Sequence, residues 1–302
     1  NTDIVILQEE KNNLEKIMAM LEEILASPEK LNMVIKEELK KIKKEYATPR
    51  RTTITSEVEE IKVDTTSMIP KEDAVVVVTK DGYIKRVSVR SYEANTDTTS
   101  LKDGDYVIGL YNINTQGTVL VFTDCGNYLF LPVYEIPEAK WKDMGKHLSN
   151  IINISPEETI VNAMPVYNFD SIIYITSFSK NGMIKRTLLS EFKVQRYSKA
   201  INMMKLKDDD EVVDISYSNE KNVLIVTKKG YGLWFDIEEV SPVGIKAAGV
   251  KSIKLKEDIV VTGLLFNANT EYLSIIMDKG TAKRLKLSEI EKSSRANRGL
   301  LL

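Results

Sequence analysis

Two residue types that build metal and redox centres are almost missing from this chain. Its 302 residues include one cysteine, Cys125, and one histidine, His147. A single cysteine excludes a disulfide within the chain and is typical of a reducing compartment, and one histidine cannot build a histidine-rich metal site. The sequence also lacks any run of about 18 apolar residues and the basic n-region of a signal peptide. We therefore expect a soluble, cytoplasmic protein.

The chain also lacks an excess of positive charge. Its 42 lysines and arginines are balanced by 44 aspartates and glutamates, so the net charge is −2. This balance argues against a protein that is basic over its whole surface. Binding to nucleic acid would therefore require that cations gather on one surface while the acidic residues lie elsewhere.

What the sequence does contain is a repeated strand-turn-strand pattern. The first copy is VVVVTKDGYIKRVSVRSY from Val75 to Tyr92, and four more follow with a period of about 50 residues. Segments between the copies have an acidic turn and an alternating apolar run, so each repeat supplies about four strands. The pattern predicts a mainly β, propeller-like array of about five to six four-stranded blades. The turn glycines of the five copies are Gly82, Gly126, Gly182, Gly230 and Gly280.

These glycines also predict the geometry of the turns. Asp81-Gly82 and Asn181-Gly182 are typical of two-residue hairpin connections, in which positive φ angles favour glycine. The residue pairs at the other three turns are weaker signals on their own. Because five copies align, we expect hairpins at all five places.

Residues 1–48 have a helical periodicity instead. Ser27 and Pro28 are suited to the N-cap and the first position of a second helix. Two interpretations are open, a helical hairpin that packs on its own domain and the end of a coiled-coil arm, and we favour the arm. Apolar residues at three- and four-residue steps predict the two helices: Leu14, Ile17, Leu21, Ile24 and Leu25, then Leu31, Ile35, Leu39, Ile42 and Tyr46.

Pro49 ends the helical pattern and marks the best domain boundary. It separates a helical segment with its linker, residues 1–48, from a β-rich domain, residues 49–302. The opening NTDIVILQEE has no obvious helix cap, and the final RANRGLLL looks like the start of another strand. We therefore expect the intact protein to extend beyond both ends of this chain.

A lysine-arginine pair follows three of the five turns: Lys85-Arg86, Lys185-Arg186 and Lys283-Arg284. Any one pair is explained by solubility of an exposed hairpin. Three pairs in register on a curved perimeter could instead follow a DNA duplex through its phosphates, independently of base sequence. Cations of the intervening loops extend this predicted DNA-binding surface: Lys140, Lys142, Lys146, Arg196, Lys199, Lys246, Lys251, Arg295 and Arg298.

Other patterns give weaker predictions. Gly145, Gly249 and Gly299 would either let the backbone approach a phosphate or simply form turns. Trp141 and Trp234 could stack on bases, but tryptophans in strands are more typical of a core. The acidic run at residues 208–211 lacks the alternating ligands of a calcium loop, and no P-loop is present. We expect neither a catalytic residue nor a metal or nucleotide site here.

The helices, linker and hairpins in this order resemble the A subunit of bacterial type IIA topoisomerases. The resemblance rests on IKEELKKIKKEYATPRRTTI, VTKDGYIKR, SKNGMIKR, GIKAAGVKSIKLKEDIVV and KSSRANRGLLL, and it covers essentially the whole chain. It implies the end of a coiled-coil arm followed by a carboxyl-terminal β-pinwheel, a propeller-like DNA-binding domain whose blades exchange strands.

Two branches of this family, gyrase and topoisomerase IV, share that architecture. The gyrase branch has a basic, glycine-rich heptapeptide of the type QRRGGKG after the first hairpin. This chain has EANTDTTSLKDGD at that place, after Tyr92. The missing heptapeptide favours the topoisomerase IV branch.

For the intact protein, the resemblance implies ATP-dependent, Mg²⁺-assisted passage of one duplex through a transient break in another. That activity supports decatenation, relaxation of supercoils and chromosome segregation. The catalytic tyrosine would precede this chain, ATP would bind the B subunit of topoisomerase IV as a partner, and the A subunits would form a homodimer within an A2B2 heterotetramer. This chain alone would bind and bend double-stranded DNA without cleaving it. We expect a cytoplasmic, chromosome-associated protein, with a peripheral membrane location left open.

Three alternatives remain. The first is the A protein of gyrase with a degenerate heptapeptide. The second is a propeller scaffold that binds proteins, which would show no salt-dependent affinity for duplex of random sequence. The third, an enzyme with its active site inside the propeller, is disfavoured by the lack of clustered carboxylate, histidine or cysteine motifs.

Overall fold

A computed structural model describes residues 2–48, 52, 68–95, 97–207, 209–267 and 269–302. The chain divides into two compact units, Asn1–Val63 and Asp64–Leu302. The predicted boundary between residues 48 and 49 falls at the edge of the described part. Residues 49–51 and 53–67, which belong to the start of the predicted β-rich domain, lie outside it.

The described residues of the first unit form two helices, α1 (Thr2–Ala26) and α2 (Pro28–Tyr46). Ser27 is the N-cap of α2, and its side chain accepts a hydrogen bond from the Lys30 N–H at 3.5 Å. This confirms the predicted helix start. The apolar residues of α2 are exposed, for example Leu39 at 60%, and the assignment to a longer arm stays a prediction. No helix in the described residues is long and apolar enough to cross a membrane.

The second unit is built from short antiparallel strands and one short helix, α3 (Val89–Glu93). The strands are β1 (Asp73–Thr79), β2 (Tyr83–Ser88), β3 (Val107–Asn114), β4 (Thr118–Thr123), β5 (Asn127–Pro132), β6 (Lys146–His147), β7 (Ile160–Val166), β8 (Tyr174–Ser179), β9 (Met183–Leu188), β10 (Ile201–Asn202), β11 (Val212–Tyr217), β12 (Asn222–Thr227), β13 (Tyr231–Asp236), β14 (Val250–Lys251), β15 (Val260–Phe266), β16 (Tyr272–Ile276), β17 (Ala282–Lys286) and β18 (Leu300–Leu301).

These strands form four sheets of four strands and one sheet of two. The four-stranded orders are β3-β1-β2-β6, β10-β5-β4-β7, β11-β8-β9-β14 and β15-β12-β13-β18, and β16 pairs with β17. The mainly β, blade-like fold is confirmed. In the described residues, the fifth hairpin carries no further paired strand, so the described array has four complete blades and one two-stranded sheet.

The last strand of each four-stranded sheet comes from the next repeat. β6 follows β5 along the chain, yet it pairs with β2 of the preceding sheet. β10, β14 and β18 pair in the same way with β5, β9 and β13. We call these four two-residue elements the exchanged strands, and the segments that end in them the exchange loops: residues 133–147, 189–202, 237–251 and 287–301. The implied exchange of strands between blades is confirmed.

The hairpin turns differ from the predicted two-residue type. The register pairs Val78 with Ile84, which leaves a three-residue connection between Thr79 and Tyr83. Gly82 donates its N–H to the Thr79 carbonyl at 3.1 Å and has φ +88°, while Asp81 is not among the residues with positive φ. This is a turn followed by a glycine bulge, in which one glycine carries the left-handed conformation. The equivalent glycines of the other four hairpins also have positive φ.

Packing on both faces explains the apolar run at the start of the first repeat. In β1, every residue from Ala74 to Thr79 is buried, so its sequence is continuous rather than alternating. Successive sheets contact each other through β3, β7, β11 and β15. Hydrogen bonds join them there, for example Tyr111 Oη to the Ala163 carbonyl at 2.7 Å. Because the exchanged strands lie at the opposite sheet edge, they form the perimeter of the array.

Candidate nucleic-acid interface

The nine loop cations of the predicted DNA-binding surface all lie in exchange loops. Lys146 is in β6 and Lys251 is in β14. Lys140 and Lys142 precede β6, and Lys246 precedes β14. Arg196 and Lys199 precede β10, and Arg295 and Arg298 precede β18. The fold therefore brings these residues to one edge of four successive sheets.

Glycines hold the exchanged strands close to the sheets that they join. A Cβ atom on Gly249 would lie 2.6 Å from the Ile184 carbonyl oxygen of β9. A Cβ atom on Gly145 would lie 2.6 Å from the Ile84 carbonyl oxygen of β2. A Cβ atom on Gly299 would lie even closer to the Gly232 carbonyl oxygen of β13. These glycines allow the close approach of two backbones. The alternative, that they admit a phosphate, has no support in this packing.

Six of the loop cations are exposed and free. Lys140, Lys146, Arg196, Lys199, Lys246 and Lys251 are exposed, and within the described residues none of their side chains makes a hydrogen bond or an ion pair. Free, hydrated cations on one sheet edge can neutralise phosphates without recognising bases. These residues are the best candidates for contact with a duplex.

The other three loop cations have partners. Lys142 pairs with Asp97 at 3.5 Å, and both side chains are exposed. Arg295 donates to the carbonyls of Glu239 and Lys251 at 3.1 and 2.5 Å, which ties two exchange loops together. Arg298 donates to the Tyr231 hydroxyl at 2.8 Å and lies over its ring. Lys142 can exchange its weak surface pair for a phosphate, whereas Arg295 has a structural role.

The two hairpin lysines Lys85 and Lys185 are not on the surface. Each is only 2% exposed. Lys85 Nζ donates to the carbonyls of Trp141 and Asp143 at 2.5 and 2.6 Å. Lys185 Nζ donates to the Ile245 carbonyl at 2.6 Å and to that of Met203. The prediction that these two lysines contact DNA is wrong, because their ammonium groups are enclosed by backbone carbonyls.

Burial lowers the pKa of both lysines. Removal from water disfavours a charged group, so desolvation lowers the pKa of Lys185 from 10.5 to about 8. The pKa of Lys85 is also lowered by burial, with nearby Asp143 opposing the effect. The carbonyl hydrogen bonds compensate for part of the cost of burying each charge.

The hairpin arginines face the perimeter only in part. Arg86 lies 3.5 Å from Glu138 with 19% of its side chain exposed, and Arg186 is half-buried with its guanidinium 3.9 Å from the centre of the Tyr174 ring. Contact of these arginines with DNA stays a prediction, supported by little free surface.

The fifth hairpin presents its pair differently. Lys283 and Arg284 are exposed, and Arg284 lies 3.8 Å from the centre of the Tyr272 ring. Arginine over an aromatic face gains a cation–π interaction and leaves guanidinium donors free. Their predicted contact with DNA remains open in this geometry.

In the segment that stands in place of the gyrase heptapeptide, Thr99 is buried while most of the other described residues are exposed. The Thr99 hydroxyl donates to the Trp141 carbonyl at 2.9 Å and accepts a hydrogen bond from Lys85. Trp141 is 7% exposed and donates through Nε1 to the Asp97 carbonyl at 2.8 Å. This tryptophan belongs to the core, as the sequence favours. Through Thr99 and Asp97, the segment after Tyr92 therefore supports a neighbouring exchange loop. Its single cation, Lys102, is exposed and pairs with Asp81 at 3.2 Å.

Sequence reasoning missed the tyrosines beneath the arginines. Tyr174 and Tyr272 begin the strand opposite their arginines, so each stacked pair spans a hairpin diagonally. The register of the hairpin could have indicated these contacts, since the residues stand at fixed distances from the turn glycine. In the described chain, no group of three or more histidine, cysteine, aspartate or glutamate side chains could hold a metal ion.

Comparison with known proteins places this geometry in a family. The family model described as "DNA gyrase C-terminal domain, beta-propeller" matches five segments, residues 73–114, 117–166, 174–219, 221–265 and 272–301. The A subunit of DNA topoisomerase 4 from Bacillus subtilis (strain 168) is 45% identical over this whole chain, which corresponds to 38% of that protein. The protein of the same name from Staphylococcus epidermidis is 39% identical, again over this whole chain and 38% of that protein.

A solved structure is similar as well. The crystal structure of the C-terminal domain of DNA topoisomerase IV has a TM-score of 0.74 and 44% sequence identity, covering 78% of this chain and 73% of that one. This chain spans well under half the length of the curated relatives it matches. Its five matched repeats account for most of its length. The chain belongs to the family of the DNA gyrase C-terminal β-propeller domain.

Proposed function

We propose that this chain is the DNA-binding, carboxyl-terminal part of the A subunit of a topoisomerase IV. The observation that carries the proposal is the row of free cations in three of the exchange loops, at one edge of three successive sheets. Identity of 45% over the full chain to the A subunit of a DNA topoisomerase 4 supports the same assignment. The absence of the gyrase heptapeptide after Tyr92 disfavours the gyrase alternative.

The binding mode follows from the kind of contact available. Exposed lysines and arginines neutralise phosphates and release condensed counterions, so affinity depends on salt and not on base sequence. Cations on the perimeter of the array form a curved row, and a duplex that binds along this row is bent. Bending costs a few kcal/mol for a site of some 20–30 base pairs, which the additional phosphate contacts offset.

The remaining activity would belong to the longer protein. Relatives are more than twice as long as this chain, and we propose that their other part, with the B subunit of the enzyme, supplies ATP-dependent, Mg²⁺-assisted strand passage in an A2B2 heterotetramer. Described residues of this chain offer no group of acidic side chains suited to Mg²⁺, so we assign no catalytic step to them. A cytoplasmic, chromosome-associated location is part of the same proposal.

A salt titration of duplex binding tests the proposal. The variant replaces three free cations, Arg196, Lys199 and Lys246, by alanine, and the control replaces Lys71, which is exposed and precedes β1. For a random-sequence duplex, the slope of log affinity against log salt should fall by about 0.9 for each lost contact. Energy transfer between the duplex ends should report less bending in the variant, while the control should match the original chain.

Two outcomes would contradict the proposal. If the triple variant binds duplex with unchanged affinity and slope, the exchange loops are not the interface. If the original chain shows no salt-dependent affinity, the protein-binding scaffold becomes the better interpretation. A supercoiling assay of the intact complex separates the two branches of the family, since relaxation and decatenation without supercoiling are expected.

A further inference from the structure

The two buried lysines share an arrangement that no DNA contact explains. Lys85 stands in β2 and binds two loops at once: its ammonium donates to Thr99 of the loop that leaves β2, and to the carbonyls of Trp141 and Asp143 in the exchange loop that arrives from the next repeat. The lysine thus joins an outgoing and an incoming loop at one point.

Lys185 repeats the arrangement two sheets further along. Its ammonium donates to the carbonyl of Met203, which directly follows β10, and to the carbonyl of Ile245, in the exchange loop that arrives from the next repeat. The register confirms that the two lysines are equivalent, since Lys85 pairs with Val77 and Lys185 with Ser177 at matching places in their hairpins.

The bound carbonyls lie next to exposed cations. Lys142 stands between the two residues whose carbonyls bind Lys85, and Lys246 follows Ile245, whose carbonyl binds Lys185. Both Lys142 and Lys246 are exposed. A carbonyl fixed inward sets the orientation of the neighbouring peptide unit, because the backbone has only two soft dihedral angles per residue. The buried ammonium groups therefore fix the direction in which these cations leave the loop.

The other repeats show that a lysine is not needed for the sheet itself. Leu129 and Leu233 occupy the equivalent place in β5 and β13, pair with Val121 and Ile225, and are fully buried. An apolar side chain of similar length is compatible with the interior of a blade. The charge of Lys85 and Lys185 must then serve something other than blade packing, since burying a charge is costly.

We propose that Lys85 and Lys185 are positioning residues, which hold the exchange loops so that Lys142 and Lys246 face the phosphates of a bound duplex. This inference rests on the proposed function and adds a role for residues that never touch DNA. The lowered pKa of both lysines is consistent with groups that are held for their hydrogen bonds at a cost in desolvation.

The test replaces Lys185 by methionine in the 302-residue chain and measures affinity for a random-sequence duplex across a salt titration. We expect binding about three- to tenfold weaker, as for the loss of about one phosphate contact. Amide exchange at Ala247, whose N–H bonds to the Gly244 carbonyl at 3.1 Å in the same loop, should become faster. Leu233→Met is the matched control at the equivalent position, and both measurements should stay unchanged.

A double-variant cycle separates positioning from direct contact. If Lys185 acts through Lys246, then Lys185→Met combined with Lys246→Ala binds no more weakly than Lys246→Ala alone. Additive losses, or a Lys185→Met chain that binds as the original does, would overturn the inference. If Lys185→Met does not fold, the same cycle is run with Lys85→Met and Lys142→Ala.

Failure of the two proposals can be distinguished. If the original chain has no salt-dependent affinity for duplex, the proposed function fails and the role toward DNA falls with it. The exchange rate at Ala247 then still decides whether the buried ammonium holds the loop. Unchanged exchange in Lys185→Met would remove the anchoring role as well.

Discussion

The buried ammonium of Lys185 should make the stability of the β unit depend on pH in an unusual direction. Burial lowers the pKa of this lysine from 10.5 to about 8. Between these two pH values the unfolded chain keeps a proton that the folded chain has released. Because the unfolded state then binds more protons, the free energy of unfolding rises with pH over this window.

The size of the effect follows from the difference between the two pKa values. One pH unit corresponds to about 1.36 kcal/mol, so the full window is worth roughly 3 kcal/mol. Lys185→Met removes the titrating group and keeps a side chain of similar length. Relative to the variant, the original chain should therefore gain up to roughly 3 kcal/mol of stability from pH 8 to 10.5. All other titratable groups are common to both chains, so their contributions cancel in the comparison.

Urea unfolding at a series of pH values measures this difference. The two tryptophans of the chain, Trp141 and Trp234, both lie in the β unit, so their fluorescence reports on that unit and not on the helices. Lys283→Met is the control, because Lys283 is the exposed equivalent in the fifth hairpin. Parallel stability curves for the original chain and Lys185→Met would refute the reasoning, since they would show that burial does not perturb this lysine.

Two further predictions concern contacts between repeats. Gly249→Ala should destabilise the β unit by about 1–3 kcal/mol, because the new methyl group would lie 2.6 Å from the Ile184 carbonyl oxygen. The control is Gly244→Ala, whose new methyl group would have no atom within 4 Å, so its stability in the same urea experiment should be nearly unchanged. Thr262→Val should cost about 1.5–3 kcal/mol at pH 7, since its hydroxyl donates to the half-buried Asp214 carboxylate at 2.6 Å. Burial raises the pKa of Asp214 above 3.8, so this cost should shrink as acid neutralises the carboxylate. Thr262→Ser should show little loss, and a cost that is constant with pH would contradict the assignment.

Much of the fold could be predicted because its signals are local. A strand pair with a turn glycine is a short-range pattern, and five copies made the blades evident. The exchanged strands could not be predicted from pattern alone, because two residues such as Lys146 and His147 are too short to show a periodicity of two. Their position depends on which neighbouring sheet has a free edge, and that is a property of the assembled array.

The candidate site was predicted in part, and the error has a physical origin. The structure places the loop cations in the exchange loops at the sheet edge, as expected of loops between strands, and their contact with DNA stays a prediction. The prediction fails for Lys85 and Lys185 because lysines are mostly exposed in proteins, whereas these two are buried. The aligned repeats indicate the burial, because Leu129 and Leu233 lie three residues after their turn glycines, at the same place as Lys85 and Lys185. Alternating lysine and leucine at one repeat position indicates an interior site.

Strand exchange delays the folding of each sheet while the chain is being synthesised on the ribosome. The sheet built around β1 and β2 stays one strand short until β6 has been synthesised, about sixty residues later at about 5–20 residues per second. During that delay, the edge of β2 is open to pairing with any other extended segment. Each repeat thus supplies the strand that completes the preceding sheet, so folding of the sheets follows synthesis by one repeat. Slowing synthesis just before an exchange loop would lengthen the exposure and favour pairing between nascent chains.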